Sequence, residues 1–340
     1  MKTVVLFGGT GFIGTHLTQH FLKHNLAETI FVVDLLGPRE SPYTQLLQSG
    51  LSSGRVVFVA HDVRKPVPPD LLPDHADLIF NLSAVHREPG HFPREYFETN
   101  LLGAENVCSW ANRVGCETLV FTSSISPYGP SEEEKTESSL PVPETAYGSS
   151  KLVAEKIHMA WQCGKASRKL LILRPGVVFG PGEGGNVTRL VRSLVKGYFV
   201  YMGNRQTIKA AGYVKELCLV AMFGLKVLGS SDDSVLLLNF TADPPPSIEQ
   251  MVNAILKTAG KRRSLLSLPR TLVLGLSFPL TAVERIFGVK MPINPARVRK
   301  LVRSNNVLPE RLISLGYEFS YTLESAFCDW KSEVPQDFSK

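Results

Sequence analysis

The stretch Met1–Gly14, MKTVVLFGGTGFIG, decides how the rest of the chain is read. It is open to three readings: a signal peptide, a buried strand, or the first half of a nucleotide site. The apolar run Val4–Phe7 is short, glycine follows at once, and no small-residue cleavage site comes after it. That makes a poor signal peptide. Gly8, Gly11 and Gly14 come directly after the strand-like run and directly before a helical one. In that context the first glycine permits a tight turn. The second lets the backbone approach a pyrophosphate, and the third lets the helix pack on the strand. The helix N-terminus then offers unpaired N–H groups and the positive end of its dipole to phosphates.

Later residues fit a dinucleotide at this turn. Asp34 ends the next strand-like run, where a carboxylate accepts hydrogen bonds from ribose hydroxyls and repels a 2′-phosphate. This favours NAD over NADP, with nearby Arg39 as the counter-indication. Asp62-Val63 follows the third run, where an adenine would lie.

Short apolar runs continue at Ile30–Val33, Val56–Val59, Leu78–Phe80, Leu119–Phe121 and Leu170–Leu173. Nearly all-apolar strands are expected where both faces of a parallel sheet are covered. Helical patterns lie between them at Phe12–His24, Phe97–Val114 and Tyr147–Cys163. The alternation predicts an α/β fold, a doubly wound parallel sheet with a smaller, mainly helical C-terminal substrate domain. Residues 1–175 form the dinucleotide-binding part in this reading. Residues 212–240 return to it through the run Val235–Phe240, and 176–211 with 241–340 bind substrate. RPGVVFGPGEGGN, from Arg174, reads as a loop, and TADPPPS, Thr241–Ser247, as a second break. The helix bearing His16, His20 and His24 reads as having them on a polar face.

YGSSK places Tyr147 and Lys151 at i and i+4, on one face of a helix. A phenol with its ordinary pKa of about 10 is a poor base. A nearby ammonium and a bound cationic nicotinamide favour the phenolate. TSSISPYG supplies hydroxyls at the end of another strand, where a ligand crevice is expected.

Taken in order, GGTGFIG, Asp34, DV, NLSA, ETN, SSISPYG, YGSSK and RPGVVFG resemble the extended short-chain dehydrogenase/reductases, in particular their nucleotide-sugar epimerase/dehydratase branch. The resemblance covers most of the chain. It implies a Rossmann sheet, bound NAD, and hydride transfer from a sugar carbon to give a bound ketone. It makes Tyr147 the general acid/base, and has Lys151 hold the nicotinamide ribose. Ser124 would hydrogen-bond the reacting oxygen. Gly8, Gly11, Phe12, Ile13, Gly14, Asp34, Asp62, Val63, Leu82, Ser83, Ala84, Asn100 and Pro175 would join Tyr147 and Lys151 around the cofactor. Asn100 is alternatively a helix cap or a structural support, and Arg174 reads as an anchor of its strand end. His86 and Ser126 would face substrate, while Asn186, Arg189 and Lys209 are candidates for a diphosphate.

The chain departs from that branch in three places. Ile125-Ser126 replaces the Asp-Glu pair that serves water elimination, which disfavours a dehydratase. Val177 stands three residues after Arg174, where epimerases carry an asparagine, and valine cannot hydrogen-bond a substrate. Lys215-Glu216 replaces the usual acidic residue of GYVKEL. The expected activity is an NAD-dependent nucleotide-sugar epimerase. The alternative is a dehydrogenase or 4-ketoreductase acting on a nucleotide sugar or a steroid-like alcohol.

The 340 residues are 44% hydrophobic and 20% charged, enough for a sizeable core, with a net charge of +6. Basic clusters at Lys261–Arg263 and Arg297–Arg303 could form a nucleic-acid or membrane surface; with no nucleic-acid motif beside them they read rather as solvated faces that attract an anionic substrate. No nucleic-acid partner is expected. Five cysteines without metal spacing point to a reducing, cytoplasmic setting and no metal. The most apolar late stretch, Leu268–Ile286, contains Pro269, Arg270, Pro279, Glu284 and Arg285, which argue against a membrane span. The family resemblance also implies a homodimer through a four-helix contact, a geometry that the helices Phe97–Val114 and Tyr147–Cys163 fit.

Overall fold

The computed structural model describes residues 1–88, 90–268 and 303–339. Its centre is a seven-stranded sheet of β1 (Thr3–Phe7), β2 (Thr29–Asp34), β3 (Val56–Ala60), β4 (Leu78–Asn81), β5 (Thr118–Thr122), β7 (Lys169–Pro175) and β11 (Val235–Phe240). The order is β11-β7-β5-β4-β1-β2-β3 and every neighbouring pair is parallel. The run Val235–Phe240 therefore does rejoin the sheet, beside β7. The strand order reverses direction at β1, between β2 and β4, and such a switch point opens a crevice at the C-terminal strand ends.

Alternation along each strand explains the two layers. Val4 and Leu6 point to one face and pack with Leu17 and Phe21 of α1 (Phe12–Lys23) and Leu217, Val220 and Ala221 of α6 (Val214–Ser230). Val5 and Phe7 point to the other. There they meet Val107 and Trp110 of α3 (Pro93–Arg113) and Ala154 and Trp161 of α4 (Ala146–Cys163). α2 (Gln45–Ser52) completes the first layer. Pro93 starts α3 four residues before the periodicity alone predicts, because Glu95 accepts the N–H of Phe92 and closes the first turn.

A third core gathers α5 (Asn186–Lys196), α7 (Ile248–Thr258) and α9 (Leu323–Glu333) around Phe179, Phe327 and Trp330. The stretch expected to be a loop after Arg174 holds a short strand, β8 (Val177–Phe179), paired in parallel with β10 (Ala211–Tyr213). Two further pairs join β9 (Tyr201–Met202) to β12 (Ser267–Leu268) and β6 (Ser131–Lys135) to β13 (Asn305–Val307). A short helix, α8 (Glu310–Ser314), follows β13. Apart from Leu268, the apolar stretch Leu268–Ile286 lies outside the described residues, as do Arg297, Arg299 and Lys300. Among the described residues no helix is long and apolar enough to cross a membrane, and no group of His, Cys, Asp or Glu could hold a metal.

The histidine helix corrects one expectation. His16 is buried, bonded to the Pro181 carbonyl at 2.8 Å and stacked on Tyr43. Desolvation lowers its pKa to about 4, so it is a neutral packing residue rather than part of a polar face.

Candidate active site

The glycine turn joins β1 to α1. Gly8 has φ +78°, and a Cβ on it would stand 2.7 Å from Ser83 N and 2.8 Å from Leu82 C. Both the backbone conformation and the close approach of the β4 end require glycine. Gly14 meets Gly9 as closely, which seats α1 on the strand, whereas a Cβ on Gly11 would meet nothing nearer than Gly8 O at 3.2 Å. α1 has no side-chain cap and no acidic residue in its first turn, so its leading N–H groups remain for an anion. Phe12 and Ile13 begin this helix and pack into the third core.

Asp34 ends β2 with Oδ1 on Leu35 N and Oδ2 on Thr10 N, which fixes the carboxylate beside the glycine turn. Asp62 pairs with Arg64 at 2.6 Å, and that hydrogen bond holds its carboxyl below the usual range. Val63 is buried against Gly103 of α3.

At the end of β4, Leu82 N bonds Phe7 O, and Ala84 follows Ser83 into the crevice wall. The Ser83 hydroxyl is buried without a hydrogen-bond partner among the described residues. Asn100 is no helix cap: it lies inside α3, where it binds both backbone groups of Val85 and the Ser150 hydroxyl. It ties the segment after β4 to α4. Beneath, His158 gives Nδ1–H to Ala154 O, so its Nε2 accepts from Asn81 Nδ2, and Asn81 Oδ1 in turn accepts Ser83 N. Desolvation keeps His158 neutral, with a pKa of about 4. Asn81 opens the NLSA motif, but nothing in the sequence signals that His158 is its partner.

Ser124 follows β5, and Tyr147 lies in the first turn of α4, with Thr145 as its cap. The Ser124 side chain eases the Tyr147 phenol, and its hydroxyl donates to Ser126 Oγ at 3.1 Å. Gly148 makes this possible: a Cβ there would stand 2.6 Å from Ser126 O. Sequence reasoning passed over this glycine, although a glycine in a helical first turn is itself a signal of close approach.

Lys151 is buried, gives Nζ–H to Thr122 O at 2.7 Å and lies over the Phe121 ring. Burial lowers its pKa to about 7, against the opposing pull of Glu155. The Tyr147 phenol moves the other way. Burial raises it to about 12, eased by Ser124 and reinforced by Glu88 and Tyr96. Lys151 is not among the groups that set this value, because its ammonium is directed at the end of β5. The lowering expected from Lys151 is thus absent from the protein residues by themselves, and Tyr147 rests as the protonated acid.

A buried ion pair braces the site. Glu155, 0% exposed, accepts two bonds from Arg174, 4% exposed, at 2.8 and 2.6 Å, and a third from Ser123 at 2.5 Å. Arg174 also lies over the Tyr128 ring, whose hydroxyl binds Asn239. Ser123 is therefore bound into this network and does more than end a strand. Pro175 closes β7 and its carbonyl accepts Ile125 N. One i+4 step from Lys151, the pair joins α4 to β5 and β7.

Four sequence candidates remain. His86 is half-buried; desolvation lowers its pKa, and Arg87, Lys151 and His91 push the same way. Asn186 and Arg189 are exposed and bonded to each other at 2.6 Å. Lys209 gives its ammonium to Arg303 O. Val177 is held by its backbone to Ala210 O. Of the Lys215-Glu216 departure, Lys215 pairs with Asp329 and Glu333. Glu216 receives Tyr317 and the amides of Ser320 and Tyr321, so both dock the C-terminal segment.

The donor set fits a dinucleotide. An uncapped helix start faces the pyrophosphate position, a glycine cradle would be filled by any Cβ, and a buried unpaired hydroxyl and a carboxylate flank it. The chain is 26% identical to an N-acetyl-α-D-glucosaminyl-diphospho-ditrans,octacis-undecaprenol 4-epimerase of Escherichia coli O157:H7, over 94% of this chain and 91% of that protein. It is 27% identical to a decarboxylating sterol-4-α-carboxylate 3-dehydrogenase of Candida albicans, over 98% of each. The fold matches a UDP-glucuronic acid 4-epimerase from Bacillus cereus in complex with NAD, with TM-score 0.75 and 18% identity over 99% of this chain and 100% of that one. The pattern of the NAD dependent epimerase/dehydratase family matches residues 4–229, and the chain belongs to that family of NAD-dependent enzymes.

Proposed function

We propose that the protein is an NAD-dependent epimerase of a sugar carried on a diphosphate, as in a nucleotide sugar. The observation that carries the reading is the placement of Tyr147 in the first turn of α4 with buried Lys151 one turn on, bonded to Thr122 O at the end of β5, where Ser124 follows. When bound, NAD supplies the acceptor and donor of a hydride. Tyr147 would take the proton of the sugar hydroxyl as the carbon becomes a ketone, with Ser124 holding the oxygen. The positive charge of oxidised nicotinamide would lower the phenol from its resting value. Lys151 would hold the ribose and keep the crevice cationic. The ketone then presents its other face, and Tyr147 returns the proton to the inverted alcohol. The sites assigned to Gly8, Gly11, Gly14, Asp34, Ser83 and the other residues above belong to this proposal. So does the division into a dinucleotide part, 1–175 with 212–240, and a substrate part, 176–211 with 241–340.

A second reading, a net dehydrogenase or ketoreductase, is favoured by Val177 and by the sterol dehydrogenase similarity over nearly the whole chain. Both relatives that match end to end are named for substrates borne on a lipid, undecaprenol or a sterol. This favours a lipid-borne sugar diphosphate or sterol-like alcohol over a small free sugar.

NMR of a panel of nucleotide and polyprenyl-diphosphate sugars incubated with protein and NAD, with reduced cofactor followed alongside, separates these readings. An inverted centre without net NADH establishes the epimerase. A keto product with matching NADH establishes the dehydrogenase. We further propose a homodimer through the exposed faces of α3 and α4, where Leu102 and Val153 stand in solvent. The five free cysteines are consistent with the cytoplasm.

A further inference from the structure

The positive charge of this chain is concentrated. Residues 261–303 hold ten of its 37 lysines and arginines and one of its 31 acidic residues. That stretch carries +9, and the rest of the chain −3, which together make the net +6. The same stretch holds the apolar run TLVLGLSFPL, 271–280. Apolar and basic residues with almost no acid are the composition of segments that lie on anionic membranes.

The described residues show what flanks the two ends of this stretch. It begins beside the end of α5. Lys261 and Arg263 both donate to Val195 O, and Leu266 O accepts Tyr201 N where β12 meets β9. It ends at Arg303, which pairs with Glu144 at 2.8 Å, three residues before Tyr147. Ser304 and Asn305 then bond Glu132 and Ile208. Both ends thus stand on the substrate side of the fold, and the second adjoins the start of the catalytic helix.

α5 adds a surface of matching character. Its buried face is Val187, Val191, Leu194 and Val195. Its outward residues include Arg189, Arg192 and Lys196, one helical face with no acid on the helix itself; Arg192 is paired with Asp337. Just past its end Tyr198 is 66% exposed, and neighbouring Leu266 is 74% exposed. The cationic face is well hydrated, whereas the large exposed side chains of Tyr198 and Leu266 beside it lose apolar contact in bulk water. The face matches an anionic headgroup layer, with the aromatic and aliphatic side chains at the acyl boundary.

We propose that the face formed by the end of α5 and residues 262–266 docks on the surface of an anionic bilayer. The protein is then a peripheral membrane enzyme whose cleft is presented to substrates borne on lipid. Docking is independent of which alcohol is turned over, so it stands or falls separately from the epimerase reading.

The test is co-sedimentation of the full chain with vesicles of phosphatidylcholine, with and without phosphatidylglycerol. Binding is expected to the mixed vesicles and to fall as salt is raised. A Lys196→Glu/Arg262→Glu variant should bind at least about thirtyfold more weakly, the loss of two headgroup-facing cations with the repulsion of two carboxylates added. Lys196→Arg/Arg262→Lys should bind as the parent does. Leu266→Asp should remove the portion of binding that survives high salt. All three substitute exposed residues, and unchanged melting shows that each variant is folded. Equal recovery on neutral and mixed vesicles, no binding to either, or a charge-reversal variant that binds like the parent overturns the proposal.

Discussion

Glu155 is out of contact with water and takes three hydrogen bonds, from Arg174 and Ser123. Asn186 and Arg189, in the part proposed to bind substrate, are exposed and bonded to each other. On the cofactor side, polar groups are buried and held by elements far apart in sequence, as in Asn81–His158, Asn100–Ser150 and Lys151–Thr122. On the substrate side they are held locally. Glu183 caps α5 through Gly185 N and Thr188, and basic residues bond the carbonyl of Val195. The first arrangement preorganises one chemistry; the second leaves a surface whose partners can vary with little cost to the fold.

The largest expected effect tests whether the cofactor side performs the chemistry. Tyr147→Phe removes the phenolic hydroxyl and keeps the ring. Turnover should fall by about 10²–10⁴-fold, the range for losing a general acid/base. NAD affinity by fluorescence titration should be kept. Retained turnover would mean that the phenol is not the proton carrier and that the buried wall is merely structural.

Next comes the buried pair. Glu155→Ala leaves the Arg174 guanidinium buried without a counter-charge, which costs about 3–5 kcal/mol. Chemical denaturation should show most of this as lost stability, at unchanged cleft sequence. A loss comparable to that of a surface pair, up to about 1 kcal/mol, would erase the contrast between the two walls.

That contrast also explains what the sequence discloses. The sheet was legible because strands covered on both faces must be apolar, and Val4–Phe7, Ile30–Val33 and Leu170–Leu173 leave little choice. Gly8 and Gly14 were legible because a backbone without room for Cβ admits no other residue. Tyr147 and Lys151 were visible by their i, i+4 spacing. Their electrostatics were not, since Lys151 turns to Thr122 O, a partner 29 residues away. The roles of Asn81, Glu155 and His158 were invisible for the same reason: each acts through a partner that only the fold brings near. β8 was hidden in a glycine- and proline-rich stretch because its pairing with β10 is set by tertiary contact rather than by local pattern. His16 was misread because a histidine at helical spacing looks polar until Tyr43 and Pro181 close over it.

Acid should attack the buried wall first. His16 and His158 each have a folded pKa of about 4, lowered by desolvation from the ordinary histidine value of 6.5. Between those values the unfolded chain binds protons that the folded chain refuses, so stability falls as pH drops from 6.5 toward 4. Above 6.5 both states hold neutral imidazole and the contribution is complete. Melting temperature followed across this window should fall in the parent, and less steeply in His158→Gln, whose amide does not titrate. An identical slope in the variant would assign the acid sensitivity to other groups.

The smallest effect belongs to the substrate wall. Arg189→Ala removes an exposed guanidinium whose recorded partner is Asn186 on the same helix. Surface changes of this kind shift stability by no more than about 0.5 kcal/mol, so melting should be unchanged. If the arginine meets a substrate diphosphate, KM for the substrate found by NMR should rise while kcat holds, because a contact equal in ground and transition states affects binding alone. A falling kcat would place Arg189 with the reacting centre and bring the outer wall under the same constraints as the inner one. Unchanged KM and kcat would leave Arg189 only its place in the cationic face of α5, where the membrane inference, not catalysis, gives it a partner.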